Sequence, residues 1–322
     1  MSSMFPELDN DTIEQRKIVR KPTGLASFDR SLYGGLILKS IYEIYGYTHV
    51  GKSTLSYFLA GSVRPSGKLM LADFEHYDPA YVESALRLSG FDGTVHEPRQ
   101  EYGEQALEDI RSSILDESFQ GAILDSVGAL VTKAELEGEL TDANMGLKAR
   151  RLAPFMRQML YALKRNPDAC LFIINHLHAI MKLGNASTTH GGVAIHNNAH
   201  VRIRLSTEKV ADEYQIVNGR IDKNRYGGKG ADKRPFKFVL IPNVGVHPGL
   251  TAVQDCKWFG LNESATRIRI NDTDYGYFKT LAGRVQNGEE IDFEPFHEAL
   301  RHYLGADLGP DDPQDTTDNE TE

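Results

Sequence analysis

The sequence contains very little cysteine and no long apolar run, and these two absences narrow the classes of protein it can represent. Its 322 residues include only Cys170 and Cys256, too few and too far apart for a disulfide framework or a cysteine-rich metal site. We expect both to be reduced, buried thiols. No apolar run approaches the roughly 20 residues of a membrane-spanning helix, and residues 1–6 lack the pattern of a secretory signal. The expectation is a cytoplasmic protein with no membrane partner.

An excess of basic residues is also missing, since the formal net charge is −9. The acids are unevenly distributed. Residues 307–322 carry seven acids and no lysine or arginine, and removing those seven charges leaves −2 for the rest of the chain. A tail that is acidic and rich in Pro, Gly and Thr predicts disorder over 306–322. It can serve solubility alone, or it can compete electrostatically with a nucleic acid for a basic surface.

A glycine-rich segment that ends in lysine and serine supplies the strongest chemical signal. It fits the pattern G-x-x-x-x-G-K-[ST], in which backbone amides and a helix N-terminus hold phosphate groups. Residues 40–45 before it are β-branched and aromatic, as in a strand, and residues 53–62 after it have a helical pattern. This context supports a phosphate-binding loop (P-loop). The loop and the residue after it are Gly46, Tyr47, Thr48, His49, Val50, Gly51, Lys52, Ser53 and Thr54.

Two carboxylates follow apolar runs further along the chain. Glu75 comes after residues 69–74, and Asp125 comes after residues 121–124. Nucleotide hydrolysis needs a phosphate cradle, a carboxylate for Mg²⁺ and a base for water. In such loops the lysine, here Lys52, reaches the terminal phosphates, and the serine hydroxyl, here Ser53, ligates Mg²⁺. The sequence therefore predicts a nucleotide-hydrolysing site.

Strand-like runs alternate with helical patterns between residues 41 and 175, which predicts an α/β fold with a mostly parallel sheet. Because ligands bind at the carboxyl ends of parallel strands, the P-loop, Glu75 and Asp125 should converge. After residue 199 the pattern is rich in strands and predicts antiparallel strands that extend the sheet. The predicted strands are 41–45, 68–74, 121–125, 169–175, 201–205, 214–221 and 236–241, and the predicted helices are 53–62, 79–89, 104–117 and 145–165.

Composition divides the chain into four parts. Residues 1–22 form an arm that cannot bury a core alone; it is either disordered or packed on a neighbouring protomer, and we favour the neighbour. Residues 23–255 form the core, residues 256–305 a small C-terminal α+β domain, and residues 306–322 the acidic tail.

Residues 125–150 closely resemble the stretch of the RecA recombinase family, in bacteria and phages, that runs from the Walker B aspartate through the first DNA-binding loop. The specific part is Glu-x-Glu-Gly-Glu, then Asp, then Met-Gly-Leu-x-Ala-Arg, within residues 135–150. The resemblance covers about 23–255 and implies a RecA-like P-loop ATPase core. Other matches follow in the same order: Glu75-His76 with Asp78-Pro79 and Tyr81, Gly103 to Glu108, Met181 to Gly184, Thr188-Thr189 with Gly191-Gly192, and Lys223-Asn224-Arg225.

The resemblance implies a DNA-dependent ATPase that uses ATP and Mg²⁺ and catalyses strand exchange in recombination and repair. Its partners would be single-stranded and double-stranded DNA, further copies of the chain in a helical filament, and single-strand-binding and loading proteins. A phage-encoded member would act in the host cytoplasm. Two alternatives stay open: a recombination mediator that binds ATP, and a ring-type DNA motor with the same core.

The resemblance also implies roles for individual residues of the nucleotide site. Glu75 would be the general base that orients the attacking water, and Asp125 would bind Mg²⁺ through water, together with Ser53. Tyr81 would stack on adenine and Asp78 would accept from its amino group. The spacing between Glu75 and Asp78 is one residue shorter than in bacterial members.

Three further residues would act on the terminal phosphate. ATP lies between protomers in this family, so Lys223 and Arg225 would reach the γ-phosphate of the neighbour and stabilise the charge of the transferring group. His176 stands where cellular bacterial members carry the glutamine that senses this phosphate. A histidine can still donate a hydrogen bond there, and it adds sensitivity to pH.

Two loops, about 137–146 and 178–192, would face DNA, with glycines and backbone amides close to phosphates. The second loop lacks the expected aromatic residue, which implies weaker stacking on bases. The candidate DNA-binding residues are Glu137, Gly138, Met145, Gly146, Lys148, Arg150, Lys182, Thr188, Thr189, Gly191 and Gly192.

Overall fold

A computed structural model of the chain describes residues 17–138, 146–179, 187–189, 193–227 and 233–306. The acidic tail, the first 16 residues and four of the DNA-binding candidates lie outside these ranges, so the expectations about them remain predictions. Those four candidates are Met145, Lys182, Gly191 and Gly192.

The described strands belong to one large sheet and two small two-stranded sheets. In chain order they are β1 (Arg20–Lys21), β2 (Leu36–Ile37), β3 (Ser40–Gly46), β4 (Lys68–Asp73), β5 (Thr94–His96), β6 (Phe119–Asp125), β7 (Cys170–Ala179), β8 (Ser187–Thr189), β9 (Val201–Val210), β10 (Gln215–Asn224), β11 (Arg234–Ile241), β12 (Gly245–Val246), β13 (Ile268–Ile270) and β14 (Thr273–Gly276).

The described helices pack around this large sheet and at its antiparallel end. In chain order they are α1 (Ala26–Ser31), α2 (Lys52–Val63), α3 (Pro79–Arg87), α4 (Gly103–Leu115), α5 (Lys133–Glu137), α6 (Leu147–Arg165), α7 (Val193–Asn198), α8 (Pro248–Trp258), α9 (Phe278–Gln286) and α10 (Glu294–Ala306). None of them is long and apolar enough to cross a bilayer.

The large sheet runs in the order β12-β11-β10-β9-β3-β7-β6-β4-β5, and β8 pairs with β7 outside this path. From β9 to β5 every pair on the path is parallel, whereas β9, β10, β11 and β12 pair antiparallel. The prediction of a mostly parallel sheet with an antiparallel extension is therefore confirmed. Parallel register also aligns the strand ends: Gly46 lies beside His176, and Asp73 beside Asp125.

Successive side chains of the central strands point to opposite faces of the sheet, so they pack in two apolar layers, one on each face. On β3, Tyr42 and Ile44 join the core against α2 and α3, while Ile41 joins the core against α4 and α6. Within α2 nearly every residue is buried, which fits a helix enclosed by the sheet and its neighbours. The P-loop at its N-terminus is thus attached to a rigid element.

A third core lies under the C-terminal helices and includes residues of β10 and β11. Val253 from α8 and Phe296 from α10 share this core with Tyr214 and Val239. The predicted boundary at 255/256 falls inside α8, so residues 256–305 pack as a continuation of the antiparallel end of the sheet. Cys256 is buried here, Cys170 is buried in β7, and both thiols are free.

The described part of the N-terminal arm contacts its own chain. β1 pairs antiparallel with β2, with Arg20 opposite Ile37. The Arg20 guanidinium also donates to the carbonyl of Leu32 at 3.0 Å. Packing of residues 1–16 on a neighbouring protomer stays a prediction.

Candidate nucleotide site

The P-loop connects the carboxyl end of β3 to α2 in a conformation that requires its two glycines. A Cβ atom on Gly46 would lie 2.6 Å from the carbonyl oxygen of Leu205, and Gly51 has a φ of 80° as the N-cap of α2. Lys52 is almost buried, and its Nζ donates to the Tyr47 carbonyl at 2.7 Å. Burial lowers the pKa of Lys52, although Asp125 and Glu75 oppose this effect. The lysine is therefore held within the loop, beside the amides of the helix start.

Asp125 ends β6 and has no solvent exposure. Neither carboxylate oxygen has a hydrogen-bond partner by distance and angle among the described residues. Burial raises the pKa of Asp125 to about 7, although the nearby Ser53 hydroxyl lowers it in part. A buried carboxylate that lacks donors beside a serine hydroxyl suits a cation, because the cation charge offsets the cost of burial.

The chemistry of these donors fits Mg²⁺ better than a metal held by protein ligands alone. The described residues contain no group of three or more His, Cys, Asp or Glu side chains that could hold a metal ion. Mg²⁺ is commonly bound through one or two protein oxygens, with substrate phosphates and water as its other ligands. Ser53 and Asp125 are the predicted pair of protein groups, and the structure brings them together.

Glu75 lies just beyond β4, across the cleft from the P-loop, and three donors surround its carboxylate. Oε1 accepts from Ser126 Oγ at 2.6 Å and lies 3.1 Å from His176 Nε2, and Oε2 accepts from the Tyr77 hydroxyl at 3.4 Å. Burial by itself raises the pKa of Glu75, but the hydrogen bonds from Ser126, His176 and Tyr77 outweigh it, so the pKa lies below its usual value. The carboxylate is thus ionised and fixed in orientation.

The turn that carries Glu75 is built by Asp73. Its two carboxylate oxygens accept from the backbone amides of Glu75, His76 and Tyr77 at 2.7–2.9 Å. Glu75 is therefore not an ordinary helix-capping acid. Asp78 is the acid that caps α3, through the amide of Ala80 at 3.0 Å.

His176 is joined to the opposite face of the sheet through its neighbour in β7. Asn175 Oδ1 accepts from the His176 amide at 3.0 Å, and Asn175 Nδ2 donates to Glu43 at 3.0 Å. Glu43 is fully buried and forms a 2.5 Å ion pair with Arg202 of β9. A buried polar network thus reaches the cleft through two consecutive residues whose side chains leave opposite faces of the strand.

These groups line a cavity of about 540 Å³ at the carboxyl end of the sheet. Tyr81 is part of its wall, and its hydroxyl lies 2.6 Å from Thr54 Oγ1. Asp78 does not line this cavity. The lining residues are Thr48, His49, Gly51, Lys52, Ser53, Thr54, Glu75, Tyr77, Tyr81, His176, Gln215, Leu240, Ile241 and Pro242.

A larger cavity of about 750 Å³ lies on the other side of Tyr77, between α3 and residues 90–97. It contains no residue of the P-loop. We assign phosphate binding to the smaller cavity, since only that one contains the lysine and the helix start. The adenine roles of Tyr81 and Asp78 remain predictions.

Lys223 and Arg225 lie far from the P-loop of their own chain. Gly46 is the register partner of Leu205 in β9, and Leu205 is the register partner of Gly219 in β10. The three residues therefore lie at the same height along the strands of the sheet. Because β10 bulges between Ile221 and Lys223, Lys223 lies opposite Arg202, three residues toward the opposite end of the sheet, or roughly 10 Å at about 3.3 Å per residue. Its Nζ donates to the His196 and Asn197 carbonyls at 2.9 and 3.1 Å, and Arg225 donates to the Asn197 carbonyl at 3.1 Å. Lys223 and Arg225 therefore lie close to each other and away from the nucleotide cleft of their own chain.

The candidate DNA-binding residues that the structure describes fall into two groups. Glu137 and Gly138 end α5, and Gly146, with a φ of 85°, begins α6, so the first predicted loop lies between these helices. Thr188 and Thr189 belong to β8, which pairs with the end of β7. The second predicted loop therefore continues from the strand that carries His176.

Helix α6 has cations on its exposed side and no acidic residue. Arg150 is exposed, and its contact with DNA remains a prediction. Lys148 instead binds the segment that follows β6, since its Nζ donates to the Gly128 carbonyl at 2.8 Å. Arg157, which sequence reasoning did not single out, is exposed two turns beyond Arg150. The spacing of seven residues was the available signal, because it places both cations on one helix face.

Two residues of the cleft were also missed. Ser126 contacts Glu75, and Tyr77 contacts both Ser53 and Glu75. Ser126 directly follows Asp125, so its position at a strand end was the available signal. Tyr77 carried no signal beyond its place between two matched motifs.

Comparison with known proteins agrees with this geometry. Residues 7–238 match the family described as RecA N-terminal domain. The protein RecA of Bacteroides thetaiotaomicron is 30% identical over 283 residues, which cover 86% of this chain and 84% of that protein. The protein RecA of Geobacter sulfurreducens is 35% identical over 279 residues, 84% of this chain and 78% of that protein.

A shorter match reaches higher identity. The protein RecA of Bifidobacterium breve is 38% identical over 200 residues, 60% of this chain and 50% of that protein. This match covers about half of the length of that relative. Because the family match covers well over half of the chain and carries the P-loop, Glu75 and Asp125, the chain belongs to the RecA family.

Proposed function

We propose that this protein is an ATP-dependent recombinase that forms helical filaments on single-stranded DNA and exchanges that strand with a homologous duplex. The observation that carries the proposal is the cleft in which Lys52, the buried carboxylate of Asp125 and the Glu75–His176 pair converge. The strand that bears His176 continues directly into the predicted second DNA loop. Nucleotide and DNA sites would then share one structural element.

In the nucleotide cleft each residue has a role that follows from its contacts. Lys52 exchanges the Tyr47 carbonyl for a phosphate oxygen. Ser53, and Asp125 through water, would hold Mg²⁺, which would neutralise phosphate charge. Glu75, which accepts hydrogen bonds in the resting cleft, accepts one from the attacking water instead. His176 then donates toward the terminal phosphate.

The cations Lys223 and Arg225 act on the cleft of the neighbouring protomer. They lie toward the end of the sheet opposite their own P-loop, and their present acceptors are backbone carbonyls of α7. A phosphate oxygen that carries negative charge is a stronger acceptor than a carbonyl. Hydrolysis would therefore depend on contact between protomers, which is how filament geometry and ATP turnover become coupled.

DNA contacts go mainly to the phosphate backbone, because base pairing supplies sequence choice during strand exchange. Arg150 and Arg157 on α6 supply positive charge, and the predicted loops supply backbone amides. Double-stranded DNA, single-strand-binding proteins and loading proteins complete the set of proposed partners.

The test is the rate of ATP hydrolysis with and without single-stranded DNA, with electron microscopy of the same samples. We expect strong stimulation by DNA and helical filaments, and strand exchange in the same buffer. Lys52→Ala is the matched negative control, with ATP-dependent filaments lost and the circular dichroism spectrum unchanged. DNA-independent turnover or closed rings would instead favour a motor or a mediator built on this core.

A further inference from the structure

Tyr77 joins the predicted magnesium ligand to the predicted base, although no motif assigns it a role. Its hydroxyl lies 3.0 Å from Ser53 Oγ and 3.4 Å from Glu75 Oε2. The second contact is long for a hydrogen bond. Even so, no other described side chain is hydrogen-bonded to both residues.

The protons of these three groups can be arranged in only one way if both contacts are hydrogen bonds. The carboxylate of Glu75 only accepts, so the single phenolic proton of Tyr77 goes to Glu75. In that arrangement the Ser53 hydroxyl donates its single proton to the oxygen of Tyr77 and not to the neighbouring carboxylate of Asp125. Its own lone pairs remain available on the side of the P-loop. Tyr77 thereby sets the orientation in which Ser53 could ligate a cation.

The ring of Tyr77 is held in place by packing. It meets Tyr57 of α2 edge to face, with ring centroids 6.2 Å apart and an interplanar angle of 85°. It also forms part of the wall of both cavities, with the 540 Å³ cleft on one side and the 750 Å³ cavity on the other. A phenol is protonated at neutral pH, so the hydroxyl is a donor.

We propose that Tyr77 is a positioning residue that couples cation binding at Ser53 to the orientation of Glu75. This inference rests on the proposed nucleotide function. It adds a link between two predicted roles: the hydroxyl turns the lone pairs of Ser53 toward the cation and holds Glu75 at the mouth of the cleft.

The test compares Tyr77→Phe with the unmodified chain by titrating Mg²⁺ against a fluorescent ADP analogue. Removal of one hydrogen bond should raise the Mg²⁺ concentration at half-saturation by about three- to tenfold. Affinity for the analogue without Mg²⁺ should not change, and this reading shows that the cleft is intact. Turnover should fall while KM for ATP at saturating Mg²⁺ stays the same.

Tyr57→Phe is the matched control, because it removes a hydroxyl from the other ring of the same pair. The Tyr57 hydroxyl is buried and has no partner among the described residues, so its loss should not alter the Mg²⁺ titration. Equal Mg²⁺ half-saturation for Tyr77→Phe and the unmodified chain would overturn the inference, as would the same shift in Tyr57→Phe. If the unmodified chain shows no Mg²⁺-dependent binding, the proposed function fails, and the inference fails with it.

Discussion

The two ends of the central sheet carry the two groups of residues to which the proposed function assigns hydrolysis. At the carboxyl end, Asp125 is buried with no hydrogen-bond partner among the described residues and Glu75 is ionised, and the lysine of the P-loop donates to a backbone carbonyl. At the other end, Lys223 and Arg225 rest on backbone carbonyls of α7. Acids and phosphate-binding amides thus collect at one end, and the two paired cations toward the other.

If Lys223 and Arg225 act in hydrolysis as proposed, one copy of the chain does not assemble the whole site by itself. Strand register puts Lys223 opposite Arg202, three residues before Leu205, which is roughly 10 Å along the sheet from the level of Gly46 at about 3.3 Å per residue. A second copy that stacks head to tail would bring its cation end to the first copy's cleft. Contacts of that kind are heterologous and extend into helical filaments.

The largest effect should come from removing the cations. Lys223→Ala combined with Arg225→Ala should lower ATP turnover by about 10³-fold, since cations supplied to a transferring phosphoryl group typically contribute that much or more. Affinity for ADP should be unaffected, because these residues do not line their own cleft. Single-turnover hydrolysis and fluorescent-ADP titration separate the two effects.

Mixing experiments then decide whether the cations act between copies. Glu75→Gln subunits have intact cations and still bind nucleotide, and the double variant has an intact P-loop and an intact Glu75. In a random equal mixture roughly one interface in four combines both, so turnover should recover toward a quarter of the unmodified rate. If the mixture is as inactive as its components, the two ends do not meet.

The next effect concerns the carboxyl end alone. Glu75→Gln should lower turnover by about 10²–10⁴-fold and leave ADP binding unchanged, because the amide oxygen can still accept from Ser126 but cannot take a proton. Glu83→Gln is a matched control, since this acid lies on the exposed side of α3 in an ion pair with Arg87. Unchanged turnover in Glu75→Gln would remove Glu75 as the base.

Sequence reasoning found the residues whose signal is local. The P-loop, Glu75 and Asp125 each follow a strand, and parallel strands end on one edge, so their convergence followed from the predicted alternation. The antiparallel extension was also predicted, from the strand-rich pattern after residue 199. In these cases one short segment contains both the structural and the chemical information.

The contacts that the sequence did not predict join residues far apart in the chain. Glu43 pairs with Arg202 across 159 positions, and the charge of Glu43 in an otherwise apolar strand was the only sign of it. Tyr77 reaches Ser53 because a turn built by Asp73 directs it there. Such contacts depend on strand order and register, which a local pattern does not determine.

The smallest effect tests the cation end by pH. His200 is buried there, accepts from the Ile41 amide at 2.9 Å and stacks on Tyr226. Burial, and then the charges of Arg225 and Lys223, lower the pKa of His200 to about 4. The neutral ring is therefore favoured in the folded chain, while the unfolded chain takes up a proton near pH 6.5. Stability from this group is complete above about pH 6.5 and is lost as the pH falls toward 4.

The expected loss is about 1 kcal/mol per pH unit below 6.5, read from urea unfolding at pH 7.5, 6.5 and 5.5. His247, whose pKa burial also lowers to about 4, contributes in the same direction, so the unmodified slope alone does not isolate His200. His200→Asn does isolate it, because an amide oxygen can accept from Ile41 and does not titrate. A flatter pH dependence in this variant would show that the cation end excludes a further positive charge. The same slope in both chains would mean that His200 protonates as easily in the folded state as in the unfolded one, and that this end of the sheet is more open to water than its packing indicates.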